Sequence, residues 1–325
     1  MTDRMKMPTE RDFGFYQRRK HDKWREVVAP EPPLEGAVAD THAHVHTLPE
    51  PAWELVRCAA NGVRFVCEVC DPSEDVLAIP EDVRAWQVEA RAQMASCDLE
   101  STARSGAFYS PYVRITAGVH PHNAKLYSDE IEKLLIQWLS APETVVLGEI
   151  GLDYHYDLSP RDAQREVFRR QIHIAKELDM PIALHLRGGE DPEADNAHRD
   201  AFAILQEEGF PSRGTILHCC ALPADELRPW IEADCYVAYG GALTFKNSDD
   251  ARAGACVVPA DRLLLETDSP YMAPEPMRGT ACTPAHVIFT AAHLAEIRGI
   301  TPGSDRERFF AQLMENTRRF FSLDD

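Results

Sequence analysis

From residue 37 to residue 267 the chain repeats one pattern, in which a short apolar and β-branched run precedes a longer amphipathic stretch. Apolar residues in the longer stretches recur at helix spacing, as in 128–139 and 161–178. Strands separated by helices, without long antiparallel hairpins, predict a parallel sheet with right-handed crossovers. Eight such runs predict an α/β fold closed as a TIM (β/α)8 barrel. The predicted strands are 37–42, 63–70, 113–119, 144–150, 181–186, 215–219, 235–239 and 263–267.

A chain of 325 residues has the length of a single α/β barrel. We predict an amino-terminal arm over residues 1–36, which is polar and ends in a proline-rich stretch, and one barrel domain over residues 37–325. We expect the arm to pack on the barrel as an extended arm or a helix. The connection from residue 71 to residue 111 is long, and its middle predicts a helix over 83–103.

The composition, 44% hydrophobic and 27% charged, is that of a globular protein, and no apolar stretch is long enough to cross a bilayer. The charged amino terminus has no secretory-signal pattern, and the nine cysteines have no regular spacing. We therefore expect a cytoplasmic protein without membrane contact. The net charge of −19 argues against a broad basic surface for duplex nucleic acid.

Histidines and carboxylates follow several of the predicted strands. On a strand, His42 and His44 project from the same side about 7 Å apart, so both can bind one metal ion. Side chains at the carboxyl ends of parallel strands gather at one mouth of the barrel. The candidate ligands at these ends are His42, His44, Glu149, His185, His218 and Asp268, with Glu266 beside the last.

The chain resembles the TatD-type metal-dependent deoxyribonucleases of the amidohydrolase superfamily, from about residue 40 to residue 321. The matching stretches are Asp40-Thr41-His42-Ala43-His44, Gly118-Val119-His120-Pro121-His122, Gly148-Glu149-Ile150-Gly151-Leu152-Asp153-Tyr154, His185-Leu186-Arg187, His218-Cys219 and Glu266-Thr267-Asp268-Ser269-Pro270-Tyr271.

The resemblance implies a TIM-barrel hydrolase of phosphodiester bonds in which the six candidate ligands hold two divalent metal ions. Imidazole and carboxylate ligands without thiolate suit Zn, Mn, Ni or Fe and leave Mg open. We predict His42 and His44 on one ion, His185 and His218 on the other, and Glu149 between them, because a carboxylate offers two oxygens. We expect Asp268 to bind the first ion and to accept a proton in catalysis; the alternatives are that it is only a ligand or that Glu266 is the base.

Four further residues are predicted to contact the substrate, each with an ordinary structural alternative. The resemblance suggests that His120 touches a phosphate oxygen, although a loop histidine can instead bond a carbonyl group. Arg187 has the planar fork that binds phosphate, or it pairs with a carboxylate such as Glu190. Tyr154 and Tyr271 either stack on a base or pack at the barrel rim. For His122 the pattern favours no direct role.

The leading functional hypothesis is a metal-dependent nuclease that acts on the ends of single-stranded nucleic acid, most of all DNA. A second hypothesis is an amidohydrolase that cleaves an amide or a lactone. Those enzymes often bridge their metals with a carbamylated lysine at the fourth strand, and residues 144–154 contain no lysine. A third hypothesis is a non-catalytic barrel that binds metal. The sequence indicates no protein partner.

The chain departs from the family pattern at His46, at Cys220-Ala221-Leu222, at Cys282, at Gly188-Gly189 and in the long segment 71–111. These departures concern substrate contacts more than metal binding. His46 is not expected to bind the first ion, because Leu48-Pro49 turns the chain before a third imidazole reaches it.

Overall fold

A computed structural model describes residues 15–20, 23–30, 36–74, 79–96, 110–191 and 193–323. Its first two strands, β1 (Phe15–Lys20) and β2 (Lys23–Val28), form a separate antiparallel hairpin. The barrel strands are β3 (Val38–Ala43), β4 (Val63–Cys70), β5 (Tyr112–Ala117), β6 (Thr144–Asp153), β7 (Ile182–Arg187), β8 (Thr215–Leu217), β9 (Tyr236–Tyr239) and β10 (Leu263–Leu265).

The described helices alternate with these strands. They are α1 (Pro51–Ala60), α2 (Ile79–Ser96), α3 (Asp129–Leu139), α4 (Arg161–Glu177), α5 (Ala197–Glu208), α6 (Ala224–Glu232), α7 (Asp249–Val257), α8 (Val287–Ile297) and α9 (Ser304–Phe321). Helix α3 begins after Ser128 for reasons that the sequence makes clear. The Ser128 side chain caps the helix by accepting a hydrogen bond from the Ile131 amide, and acidic residues in the first turn interact favourably with the helix dipole. None of the described helices is long and apolar enough to cross a membrane.

Neighbouring strands from β3 to β10 pair in parallel and in chain order. Backbone and side-chain hydrogen bonds hold the seam between β10 and β3. The Asp268 amide donates to the His42 carbonyl at 2.9 Å, and the His44 amide donates to the Ser269 carbonyl at 2.8 Å. The buried Asp40 carboxylate accepts hydrogen bonds from the amide and hydroxyl groups of Thr267, at 2.8 and 2.6 Å, and the Thr41 hydroxyl donates to the Leu265 carbonyl at 3.0 Å. The predicted (β/α)8 barrel is confirmed.

The barrel interior is a packed core that supports its polar mouth. One apolar cluster joins side chains from opposite strands with Phe320 and Phe321 of α9, and the two residues contact Tyr236 and Phe65 respectively. A larger apolar cluster lies between the strands and the surrounding helices. Alternation along each strand supplies the two clusters, since Val38 belongs to the larger one and the next residue, Ala39, to the smaller one.

The predicted and observed elements differ mainly at their ends. Strand β6 extends three residues beyond the predicted 144–150, and helix α2 begins four residues before the predicted 83–103, whose end lies outside the described residues. The arm contains a hairpin, where we expected an extended arm or a helix. Val27 and Ala29 after its turn are buried in the larger apolar cluster.

The buried His286 at the start of α8 gives stability a defined pH dependence. Its Nδ1 accepts the Thr283 amide at 3.1 Å, and burial, with Arg57 nearby, lowers its pKa to about 3. In the unfolded chain the His286 imidazole binds a proton near pH 6.5, whereas in the folded chain it stays neutral down to about pH 3. The free energy of unfolding is therefore unaffected by this group above pH 6.5 and falls as the pH drops from 6.5 towards 3. Between pH 7 and pH 5 we expect wild-type protein to lose about 2 kcal/mol more than His286→Gln. Urea unfolding of the wild-type and His286→Gln proteins, both treated with a chelator to remove metal, measures this difference. Equal losses of unfolding free energy in the two proteins would contradict the prediction.

Candidate metal centre

The predicted ligands converge at the carboxyl-terminal mouth of the barrel around one carboxylate, Glu149 of β6. Its Oε1 accepts a hydrogen bond from His185 Nδ1 at 2.6 Å and lies 3.5 Å from His218 Nε2 and 3.7 Å from His120 Nε2. Its Oε2 lies 3.4 Å from His42 Nε2. The carboxylate is therefore surrounded by imidazoles that come from strand ends far apart in the sequence.

Close packing of β6 on β7 brings Glu149 and His185 together. Gly151 of β6 has φ +145, and a Cβ there would lie 2.1 Å from the His185 carbonyl oxygen. Only glycine fits this approach without moving the strands apart.

The ligand atoms of the six predicted residues fall into overlapping groups, each small enough to surround one ion. Within each group the candidate atoms lie within 4.8 Å of one another. The groups are His42, His44 and Glu149; His42, His218 and Asp268; and Glu149, His185 and His218. The structure thus brings together all six residues, with Glu149 common to two groups.

The electrostatics of the centre follow from burying one carboxylate among several imidazoles. Burial opposes ionisation of Glu149, but His218 and His185 outweigh it and hold the Glu149 pKa well below its usual value. Burial likewise opposes protonation of His218 and His185, but the neighbouring carboxylates raise their pKa values to about 10 and about 9. Burial, reinforced by His42, lowers the pKa of His44 to about 3. The site therefore holds an ionised Glu149 carboxylate among imidazoles, of which His218 and His185 are protonated more easily than a free imidazole and His44 less easily.

A divalent metal fits these residues. His42 Nε2 is buried and makes no hydrogen bond within the described part of the chain, although it faces Glu149 at 3.4 Å. A buried imidazole nitrogen without a hydrogen bond is costly, and a cation shared with the carboxylate would satisfy it. Cys219 also lies beside the centre, in a group with His218 and Glu266, and burial raises its thiol pKa well above the ordinary value.

Two carboxylates outside the predicted ligand set hold the ligands in place: Glu266, which the sequence offered only as an alternative base, and Asp153, to which it gave no role. Glu266 accepts His218 Nδ1 at 3.0 Å and the Cys219 amide at 2.6 Å. Asp153 accepts His185 Nε2 at 3.2 Å and His122 Nε2 at 2.7 Å. Such outer partners orient imidazoles toward a metal. The spacing of Asp153, four residues after Glu149 on one strand, is the signal that could have found it.

Above the ligands lies a cavity of about 400 Å³. The predicted substrate contacts His120, Arg187 and Tyr271 line it. His122, for which the sequence favoured no direct role, and the exposed Tyr156, which the sequence had not indicated, line it as well.

Tyr154, by contrast, does not line this cavity. It is 3% exposed, donates its hydroxyl to Asp200 at 3.0 Å and carries the Arg161 guanidinium over its ring at 4.4 Å. Tyr154 is therefore a packed residue, as its structural alternative describes, and no face of its ring is open to a base.

His46 also lines the cavity, where its Nδ1 donates to the buried Glu68.

The barrel and the imidazole–carboxylate cluster at its mouth define a metal-dependent hydrolase of the (β/α)8 class. The family model described as TatD related DNase matches residues 39–322. The chain belongs to this TatD family.

Its relatives include metal-dependent hydrolases and an exonuclease. The chain is 36% identical over 253 residues to the uncharacterized metal-dependent hydrolase YabD of Bacillus subtilis (strain 168), covering 77% of this chain and 94% of that protein. It is 33% identical over 210 residues to the 3'-5' ssDNA/RNA exonuclease TatD of Pantoea vagans (strain C9-1), covering 64% and 77% respectively. A crystal structure of a TatD homologue from Escherichia coli K12 shares the fold with a TM-score of 0.72 at 22% identity, covering 90% of this chain and all of that one.

Proposed function

We propose that the protein hydrolyses phosphodiester bonds at the ends of single-stranded nucleic acid, using two divalent metal ions. The observation that carries the proposal is the position of Glu149, whose two oxygens face different imidazoles: Oε2 lies near His42, and Oε1 near His185 and His218. A carboxylate between two ligand groups can hold two ions a few ångströms apart. The Pantoea vagans relative, named an exonuclease of single-stranded DNA and RNA, supports the same substrate class.

In this proposal His42, His44 and Asp268 hold the first ion, His185 and His218 hold the second, and Glu149 binds both. The donor set of nitrogen and oxygen suits Zn, Mn, Ni, Fe or Mg. When bound, a pair of divalent ions activates water and stabilises the charge on a leaving oxygen.

The protein's own groups supply the proton transfer and the contacts to phosphate. Asp268 lies in a left-handed turn (φ 60) just past β10, with Oδ1 3.7 Å from His44 Nε2. Burial raises its pKa to about 6 in the metal-free protein. A carboxylate bound to an ion is a weaker base, and a weak base is enough when the metal lowers the pKa of the water that gives up the proton. His120 and Arg187 face the same cavity, and we assign them to the phosphate.

The burial of the centre favours a single strand as the substrate. Glu149 is 6% exposed at the base of the cavity, so a phosphodiester reaches it only when the strand enters the barrel mouth. A duplex is too wide to enter such a mouth unless its bases separate. The net charge of −19 provides no broad surface for a duplex either.

Incubation of metal-reconstituted protein with end-labelled DNA and RNA oligonucleotides tests the proposal. We expect release of mononucleotides from single strands, little product from blunt duplexes, and loss of activity with a chelator. Small phosphodiesters, lactones and amides are assayed in parallel. Turnover of a lactone or an amide without any cleavage of oligonucleotides would refute the proposed substrate class.

His46→Ala is expected to leave the content of both metals unchanged. The His46 ring is held by Glu68 through Nδ1 and belongs to none of the ligand groups among the described residues. Elemental analysis after dialysis measures the metal content, with His44→Ala as the matched variant that should lose metal. A lost equivalent in the His46 variant would mean that it is a ligand.

A further inference from the structure

We infer that Tyr156 forms a base-stacking subsite for the nucleotide on the second-ion side of the scissile phosphate, with Arg187 holding a phosphate beside it. The inference rests on the proposed function and extends it, because it names a residue that stacks on a base of the substrate. Tyr156 belongs to none of the ligand groups among the described residues.

The first support is the way in which Tyr156 is anchored. Its amide donates to Asp153 Oδ1 at 2.8 Å, while the other oxygen of the same buried carboxylate accepts from His185 and His122. The ring stands edge-to-face with His122, at 5.5 Å between centroids and 89° between planes. One carboxylate therefore fixes both a predicted metal ligand and the backbone of the tyrosine, so that the ring has a set position relative to the centre.

The second support is exposure at the cavity wall. Tyr156 is 53% exposed although it lines a concave site, and proteins that bind single strands use exposed aromatic rings of this kind to stack on bases. Across the mouth, Tyr271 is 59% exposed and lies 6.1 Å from the ring of His44. The two tyrosines thus accompany different ligand groups, Tyr271 the first and Tyr156 the second.

The third support is the charge beside the ring. The exposed Arg187 guanidinium lies 4.7 Å from the Tyr156 ring centroid and forms no ion pair with any carboxylate of the described residues. This is notable in a chain of net charge −19, where the same cavity is lined by Asp71 and Glu74. A cation held on an aromatic face keeps its fork of N–H donors available for phosphate. The ring and the cation together match one nucleotide, its base and its phosphate.

The test uses a single-stranded tetranucleotide and four analogues, each lacking one base. For the complete substrate, we expect Tyr156→Leu to raise KM about 10-fold while kcat changes by less than about twofold. For the analogue that lacks the stacked base, wild-type and variant should show the same KM. Tyr156→Phe keeps the ring and should behave as wild-type.

The matched control is Tyr112→Leu, because Tyr112 is 57% exposed but begins β5 at the opposite end of the barrel. Metal content and thermal unfolding are measured for every variant. If Tyr156→Leu fails to fold, Tyr156→Trp replaces it, and its larger ring should lower KM for every substrate that keeps the stacked base and leave KM unchanged for the analogue that lacks it. A KM change that is equal for all analogues, or no change, overturns the subsite while the nuclease proposal stands. If the wild-type protein cleaves none of the tetranucleotides, the proposed function fails and the subsite fails with it.

Discussion

Replacing Asp268 with asparagine is expected to lower kcat by at least about 10²-fold, the lower range for the loss of a general base. Asparagine keeps the shape of the side chain and one coordinating oxygen but removes the charge and the proton acceptor. KM should change little, because His120 and Arg187, which we assign to the phosphate, are untouched. The measurement is kcat and KM on a single-stranded oligonucleotide at saturating metal.

Glu266→Gln is the variant that separates this role from that of the neighbouring carboxylate. Glu266 is buried and bonds His218 and the Cys219 amide, so its loss should weaken metal affinity by about 10–100-fold. At saturating metal its kcat should recover. Near-normal turnover in Asp268→Asn, or a lasting kcat defect in Glu266→Gln alone, would transfer the role of base to Glu266.

Glu149→Gln is expected to have the larger effect on metal binding, because we propose that this carboxylate binds both ions. Outer partners of a metal site contribute about 10–100-fold in affinity, and a shared inner ligand should exceed that range. We expect the variant to retain at most one metal equivalent after dialysis and to lose activity with it. Elemental analysis and calorimetric titration with Zn²⁺ and Mn²⁺ measure the effect.

Glu143→Gln provides the matched control for charge. Glu143 precedes the same strand at the opposite end of the barrel and pairs there with Arg84 at 2.7 Å. Its metal content and activity should equal those of the wild-type protein. A Glu149 variant with two full metal equivalents would show that the bridge lies elsewhere.

The fold was predictable because barrel strands carry strong local signals. Runs such as 63–70 are mostly apolar, with Arg64 and Glu68 as the exceptions, as is typical of strands covered on both faces, and they alternate with amphipathic helices. The ends were harder to place, since they depend on tertiary contacts. Strand β6 continues to Asp153 because the residues beyond Ile150 still pair with β7. The hairpin of the arm gave no alternation strong enough to distinguish it from an extended arm or a helix.

Most of the site could be predicted for a simple reason, namely that residues at the ends of parallel strands must meet. What could not be predicted was the direction of side chains beyond those ends. Tyr154 and Tyr156 are two residues apart, yet the first is buried against Asp200 and the second is exposed at the mouth. The outcome is set by the turn after β6, in which Asp153 Oδ1 accepts the amides of His155 and Tyr156. A pattern of residue types does not show such a turn.

The seam between β3 and β10 has a consequence for synthesis of the chain on the ribosome. Asp40 and Thr267 are 227 positions apart, so the Asp40 carboxylate cannot form its hydrogen bonds with Thr267 until almost the whole barrel has emerged from the ribosome. Until then β3 and the most recently made strand present open edges, which invite pairing with other chains. Asp268 arrives directly after Thr267, so under the proposed assignment the nascent protein completes the first ion site only when its barrel closes. A ribosome-bound intermediate that ends before residue 267 should therefore depend on chaperones for solubility and take up less metal than the released protein.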